Sequence, residues 1–276
     1  MADARTQLLD VDSRVAITPQ QQAFFRENGF VKLSHVFSAE TLRYFGEHIT
    51  RQVIERNCLQ KPMTERTTYE RAFLQVTNLW RTDPVVERFV RGERLARAAA
   101  ELIGVRGVRL YHDQALYKEP GGGITPWHAD QYYWPLSTSN TCTAWIPLQA
   151  TTREMGPLAF AAGSHRFEFG RDLKISDESE RALQEALRRQ NFAEEDGAFE
   201  LGDVSFHSGW TFHHTGGNVT DQPRAVMTII YMEDGIRLTE PKRPEHIADR
   251  DAFMPGAKVG QVVATALNPL LWRDRE

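Results

Sequence analysis

The chain has 276 residues, 41% hydrophobic and 25% charged, the make-up of an ordinary globular protein with a sizeable core. A net charge of −4 gives no basic footprint for a nucleic-acid partner. No run approaches the roughly 20 apolar residues that span a bilayer, so no membrane partner is expected either. MADARTQLLDVDSR lacks the apolar core of a signal peptide. The two cysteines, Cys58 and Cys142, make neither a disulfide framework nor a thiolate metal site, and free thiols point to a reducing, cytoplasmic setting.

In chain order, residues 1–16 are polar and without period, which reads as a flexible lead-in. Thr18-Pro19 supplies an N-cap and a first-turn proline for a helix that Asn28-Gly29 ends. Phe30 to Leu33 reads as a short strand. Ser38 caps a second helix to about Arg56, with Leu42, Phe45, Ile49 and Val53 at helical spacing. After a loop at 57–67, a helical region is predicted with Phe73, Val76 and Trp80 on one face. Asp83-Pro84 starts another helix, and the pattern runs through Leu95 to Ile103 until Gly104 stops it. Residues 1–105 are thus mostly helical support.

The texture changes after Gly107. Residues 108–118 alternate as a strand does, and Pro120-Gly-Gly-Gly123 is a turn or mobile loop. Further strands are predicted at 141–149, 157–161, 199–206, 210–215 and 224–233, each bounded by Gly, Pro, Asn or Asp. Between them Ser176 to Arg189 is an exposed amphipathic helix within an insertion at about 166–198. The expected fold is mainly β with flanking helices: a double-stranded β-helix, or jelly roll, over 106–235 behind a helical N-terminal region, all one domain. Residues 236–276, rich in proline and charge, are expected to wrap the surface.

Two stretches carry chemistry. In ITPWHADQYYW (124–134), His128 and Asp130 are two apart on an extended segment, so their side chains share one side. They can offer a nitrogen and an oxygen donor to one metal, and a third ligand would complete the 2-His-1-carboxylate arrangement suited to non-haem Fe(II). Alone such a pair is weak evidence, because nine histidines and thirty-seven acids produce it by chance. In GDVSFHSGWTFHHTGGNVTDQPR (202–224), a histidine could complete the site. His207, after Phe206, reads as a core residue or a support behind the ligands. Arg224, before the apolar run Ala-Val-Met-Thr-Ile-Ile, reads as a buried guanidinium suited to gripping a carboxylate through two parallel hydrogen bonds.

WHAD, AWIPLQATTREMGPLAFAAGSH and GDVSF…HHTGGNVTDQPR together resemble the phytanoyl-CoA dioxygenase (PhyH) family of Fe(II)- and 2-oxoglutarate-dependent oxygenases, over about residues 15–235. The resemblance implies iron held by His128, Asp130 and a distal histidine, with the cosubstrate's far carboxylate on an arginine eleven residues beyond that histidine. Counting back from Arg224 gives His213, and strand alternation turns His214 to the opposite face. The family commonly has glycine directly after the distal histidine, so His214 is a departure. The same matching assigns Gln114, Trp145 and Thr215 to 2-oxoglutarate, with Lys118 at the strand end, and Gly163-Ser164-His165 to a structural turn. It implies O2 as co-reactant, release of succinate and CO2, and hydroxylation or a related oxidation of a small-molecule substrate. Since Asp130 fills the carboxylate position, no place is left there for chloride. The alternative is a non-catalytic metal- or ligand-binding jelly roll, a sensor or scaffold; loss of an iron ligand or the arginine would mark it, and neither is lost. Trp127, Tyr132, Tyr133, Trp134 and Trp210 crowd the two stretches and are candidate substrate contacts able to enclose an apolar body or a cation. The 121–123 loop and the insertion are candidate lids.

Overall fold

The computed structural model describes residues 9–274; of the lead-in expected at 1–16, residues 1–8 lie outside the described residues. Helix α1 (Pro19–Asn28) opens with reciprocal hydrogen bonds between Thr18 and Gln21 and ends at Gly29. There φ is +82°, and a Cβ would sit 2.5 Å from Thr211 Oγ1, so both backbone and space require glycine. Then come β1 (Phe30–Leu33), α2 (Ala39–Arg56), α3 (Thr68–Ala72), β2 (Leu74–Thr77), α4 (Pro84–Val90) and α5 (Glu93–Ile103). The strands β3 (Gly107–Lys118), β4 (Thr125–His128), β5 (Thr141–Pro147) and β6 (Leu158–Ala161) follow. After α6 (Asp177–Arg189) the chain forms β7 (Glu194–Glu195), β8 (Val204–Ser208), β9 (His213–Thr215), β10 (Arg224–Glu233), α7 (Pro244–Phe253) and β11 (Leu270–Arg273).

The strands build two antiparallel sheets, in the order β1-β8-β5-β10-β3-β11 with β2 also on β3, and β4-β9-β6-β7. This is the expected jelly roll, open rather than a closed barrel. Period-two alternation divides the larger sheet. Cys142, Ala144 and Ile146 of β5 and Met227, Ile229 and Tyr231 of β10 join Leu42, Phe45 and Ile49 of α2 and the alanine face of α5 in the main core. Their neighbours Thr143, Trp145, Arg224, Thr228 and Ile230 face a cavity between the sheets. A one-residue slip of β10 would bury Arg224 among the helices. A bulge in the β3–β10 pairing, where Ile230 faces His112 but Tyr231 faces Leu110, turns Tyr111 to the cavity side beside its neighbour.

Four expectations need correction. The helix predicted across Phe73 to Trp80 stops at Ala72, and Leu74–Thr77 pairs with β3 at residues 114–117; the open edge of β3 overrides a weak helical pattern. The predicted continuous helix from Asp83 breaks at Gly92, where a Cβ would lie 2.6 Å from Val11 O. The lead-in is not all free chain, since Leu9 and Val11 are buried in the main core. The C-terminal region does more than wrap. Ile236, Leu238, Met254 and Val263 form a second core with Tyr111 and Trp134, and β11 extends the larger sheet. Among the described residues no helix is long and apolar enough to cross a membrane.

Candidate active site

Strand pairing brings the histidines together: His128, last in β4, lies directly opposite His213, first in β9. Extended Ala129 keeps the alternation for one more residue, so Asp130 stays on His128's side before the chain turns at Asp130–Tyr133. The Nε2 atoms of His128 and His213 lie 3.6 and 3.7 Å from Asp130 Oδ1, and the three ligand atoms all fall within 4.8 Å of one another. Both rings are fixed by the same device. Nδ1 of His128 donates to the carbonyl of Pro126 (2.8 Å), and Nδ1 of His213 to that of Thr211 (2.9 Å). The proton therefore sits on Nδ1, and each Nε2 turns a lone pair toward the common point.

Charge agrees with geometry. Burial holds both imidazoles below the usual histidine range, hence neutral and able to bind a metal. Burial works against the Asp130 charge, but the neighbouring His213 and a hydrogen bond from His207 outweigh it, and its carboxyl stays far below the ordinary range. Oδ2 of Asp130 accepts from His207 Nε2 (3.1 Å) and Thr143 Oγ1 (3.0 Å), leaving Oδ1 to the histidines. His207 thus holds the carboxylate from behind. His214 faces away, stacked on Trp127 (ring centroids 4.0 Å apart) and bonded to Glu194 (2.9 Å). The donor set of two neutral imidazoles and one oriented carboxylate fits Fe(II) with open positions.

At the start of β10, Arg224 is 1% exposed. One Nη donates to the carbonyl of Gly156, the guanidinium lies 5.5 Å over the Trp145 ring, and the buried Nε has no partner. Among the described residues no carboxylate pairs with it; burial alone pushes its pKa down to about 9. An unpaired buried guanidinium facing a cavity is a site for an anion. Asn218 aims it, its side-chain amide bonding the carbonyls of Lys118, Glu119 and Gln222 across the turn before β10. Lys118 Nζ is tied to Gly123 O, and burial followed by the Arg224 charge brings its pKa to about 6. Tyr69 donates to Gln75 and Gln75 to Gln114 Oε1 (2.5 Å), which fixes the Gln114 amide at the cavity wall with its oxygen taken and its nitrogen without a partner among the described residues. Thr215 Oγ1 donates to Thr125 Oγ1 (2.9 Å) on the same wall.

The cavity, of about 160 Å³, contains His128, Asp130, His213, Arg224, Gln114, Trp145 and Thr215 in its lining. Of the aromatic candidates it includes Tyr133 and Trp134. It does not include Trp127, packed with His214, or Tyr132, under Arg243. Trp210 is also outside, against Arg171. Crowding in sequence was a poor guide, because side chains of one short stretch are divided between the cavity and the layer packed outside it. Sequence reasoning missed Thr143, Tyr69, Phe73, His112, Ile175, Asp249 and Phe253. Thr143 had a usable signal, standing two before Trp145 on one strand; the others come from elements whose arrival at the site no local pattern announces. Ile175 brings the insertion to the cavity wall, where its N–H reaches Tyr133 Oη (3.4 Å). The 121–123 loop is instead pinned, with Gly123 N bonded to Arg71 O and Gly121 N to Asn218 O.

The family model described as phytanoyl-CoA dioxygenase (PhyH) matches residues 25–226. An ectoine dioxygenase of Bordetella parapertussis is 27% identical over 263 residues, spanning 86% of this chain and 84% of that protein. The fold is shared with the epimerase SnoN in complex with Fe3+, alpha ketoglutarate and nogalamycin RO, at a TM-score of 0.76 and 23% identity over 92% of this chain and 98% of that one. It is shared too with EctD from S. alaskensis with 2-oxoglutarate and 5-hydroxyectoine, at a TM-score of 0.69 and 20% identity over 94% and 91% of the two chains. The chain belongs to the phytanoyl-CoA dioxygenase family, a family of iron- and 2-oxoglutarate-dependent oxygenases.

Proposed function

We propose that the protein hydroxylates, or otherwise oxidises, an unactivated C–H of a small-molecule substrate, with iron on His128, Asp130 and His213 and 2-oxoglutarate between iron and Arg224. The observation that carries this reading is the pairing of two features in one cavity: a preoriented two-histidine, one-carboxylate set and a buried guanidinium without a counter-ion. When bound, the metal and cosubstrate supply the oxidising power, O2 converting 2-oxoglutarate to succinate and CO2 as a substrate carbon is oxidised.

The chain's own part is positioning and exclusion of water. Arg224 grips the far carboxylate with the trigonal donors that Gly156 leaves over, and the Trp145 face backs it. Gln114 adds a hydrogen bond along the cosubstrate, and Thr215 adds one when its hydroxyl turns from Thr125 to the ligand. Asp130 holds one ligand position with its other oxygen fixed by His207 and Thr143, which leaves no place for halide. Phe73, Tyr133, Trp134, Ile175 and Phe253 line the substrate side and keep it dry. The test is anaerobic reconstitution with Fe(II) and 2-oxoglutarate, then screening of metabolites for succinate released in step with substrate oxidation. A protein that binds both yet releases succinate with none of them would favour a non-catalytic role.

A further inference from the structure

Resting on that reading of the site, we infer that the substrate carries a protonated nitrogen, an ammonium or amidinium, which seats against Asp249. Asp249 and Phe253, one turn apart on α7, both line the cavity, and Tyr111 donates to Asp249 Oδ2 (2.9 Å). They stand at the opposite end from Arg224. Arg224 pairs with Lys118 on β3, whereas His112 and Tyr111 lie six and seven residues away, about 20 Å at some 3.3 Å per residue.

Charge decides what this end wants. Arg224 is the only lysine or arginine among the residues that line the cavity. Iron's two positive charges and that of Arg224 are matched by Asp130 and the doubly charged cosubstrate. The Asp249 carboxylate is left over, and among the described residues no lysine or arginine pairs with it. Burial, with the Asp130 charge adding to it, pushes its pKa up to about 7, as befits a carboxylate without a counter-ion. His112 adds a second acceptor. Its ring stacks on Phe253 (3.9 Å), its Nδ1 faces the Asp113 carbonyl (3.3 Å), and burial holds its pKa near 4, so a neutral ring presents Nε2 as a lone pair. Trp134, its ring 5.2 Å from that of Tyr111, gives this end an aromatic face of the kind a cation prefers, and Tyr69 and Tyr133 also line the cavity. An anionic substrate would meet the Asp249 carboxylate here and no lysine or arginine.

The test uses the full chain, anaerobic, at pH 8, with three probes on one carbon skeleton: cyclohexylammonium, cyclohexanol and cyclohexanecarboxylate. Fe(II) and 2-oxoglutarate are added first, and the visible band of their complex is recorded. Calorimetry then gives each probe's affinity. The ammonium is expected to bind at least about tenfold tighter than the alcohol, with the carboxylate weakest. Asp249→Asn should remove the ammonium's advantage while keeping the band and the alcohol's affinity. Failure to form the band refutes the reading of the site and this inference with it. A band with equal affinities, a preferred carboxylate, no measurable ammonium binding, or a preference that survives Asp249→Asn refutes this inference alone. Should the variant not fold, the three-probe comparison on the wild-type protein decides.

Discussion

Arg224→Met should make the metal-free protein no less stable and yet nearly blind to 2-oxoglutarate. Methionine keeps the apolar stem of arginine but not the guanidinium that lies over Trp145, so only the stem's packing survives. Two stability effects oppose each other. Burial lowers the Arg224 pKa from 12.5 to about 9, a charge penalty on the order of 5 kcal/mol, which the substitution relieves. Against this, Gly156 loses its donor, at a cost of about 1–3 kcal/mol for an unsatisfied carbonyl. The balance is neutral or stabilising by a few kcal/mol. Cosubstrate binding loses a buried charge-assisted pair, about 2–5 kcal/mol, which weakens the 2-oxoglutarate Kd by roughly thirtyfold to several thousandfold. Fe(II) affinity should not change. Urea unfolding of the metal-free protein and anaerobic titration with 2-oxoglutarate give both numbers. An unchanged Kd would take Arg224 out of cosubstrate binding. A loss of more than about 3 kcal/mol in the metal-free protein would make it a structural residue instead.

His207→Phe removes the donor behind Asp130 and leaves only Thr143 to orient the carboxylate, so Fe(II) affinity should fall about 10- to 100-fold with the fold intact; an unchanged affinity in an iron titration would show that His207 has no part in aiming Asp130. Asp113 is buried, accepts from Leu79 N (2.9 Å), and is raised by burial to a pKa of about 7. Between 3.8 and about 7 the folded state therefore binds more of this group's proton than the unfolded state does. Its contribution is fully present below 3.8, declines as pH rises to 7, and is flat above. Wild-type minus Asp113→Asn unfolding free energy, measured across pH 4–8, should fall over that window by a few kcal/mol; a flat difference would refute the assignment.

Much of the site was legible because its residues obey local rules. Two-residue spacing put His128 and Asp130 on one side, alternation separated His213 from His214, and the apolar run after Arg224 marked a buried strand. The jelly roll was legible for the same reason, since each long strand has one helix-facing and one cavity-facing row. What failed was non-local. Leu74–Thr77 is a strand only because β3 offers it an edge. The β3 bulge that re-aims Tyr111 leaves no mark in sequence, because a bulge belongs to a pair of strands. Asp249 and Phe253 reach the cavity because α7 packs through Met254 and His246 onto the Tyr111–Trp134 core and the Tyr132 carbonyl, partners more than a hundred residues away. The aromatic cluster misled because Trp127 and Trp210 sit one layer out.

The most direct measurement is the visible charge-transfer band formed when Fe(II) and 2-oxoglutarate are added without O2 to the wild type, His213→Ala and His214→Ala. Both cosubstrate chelation and the ligand set are read in that one signal. His213 aims Nε2 at Asp130, while His214 stacks outside on Trp127. The wild type and His214→Ala should show the band at one iron per chain, and His213→Ala should show none. A band that survives in His213→Ala and vanishes in His214→Ala would contradict the metal centre described here and the register of β9 with it.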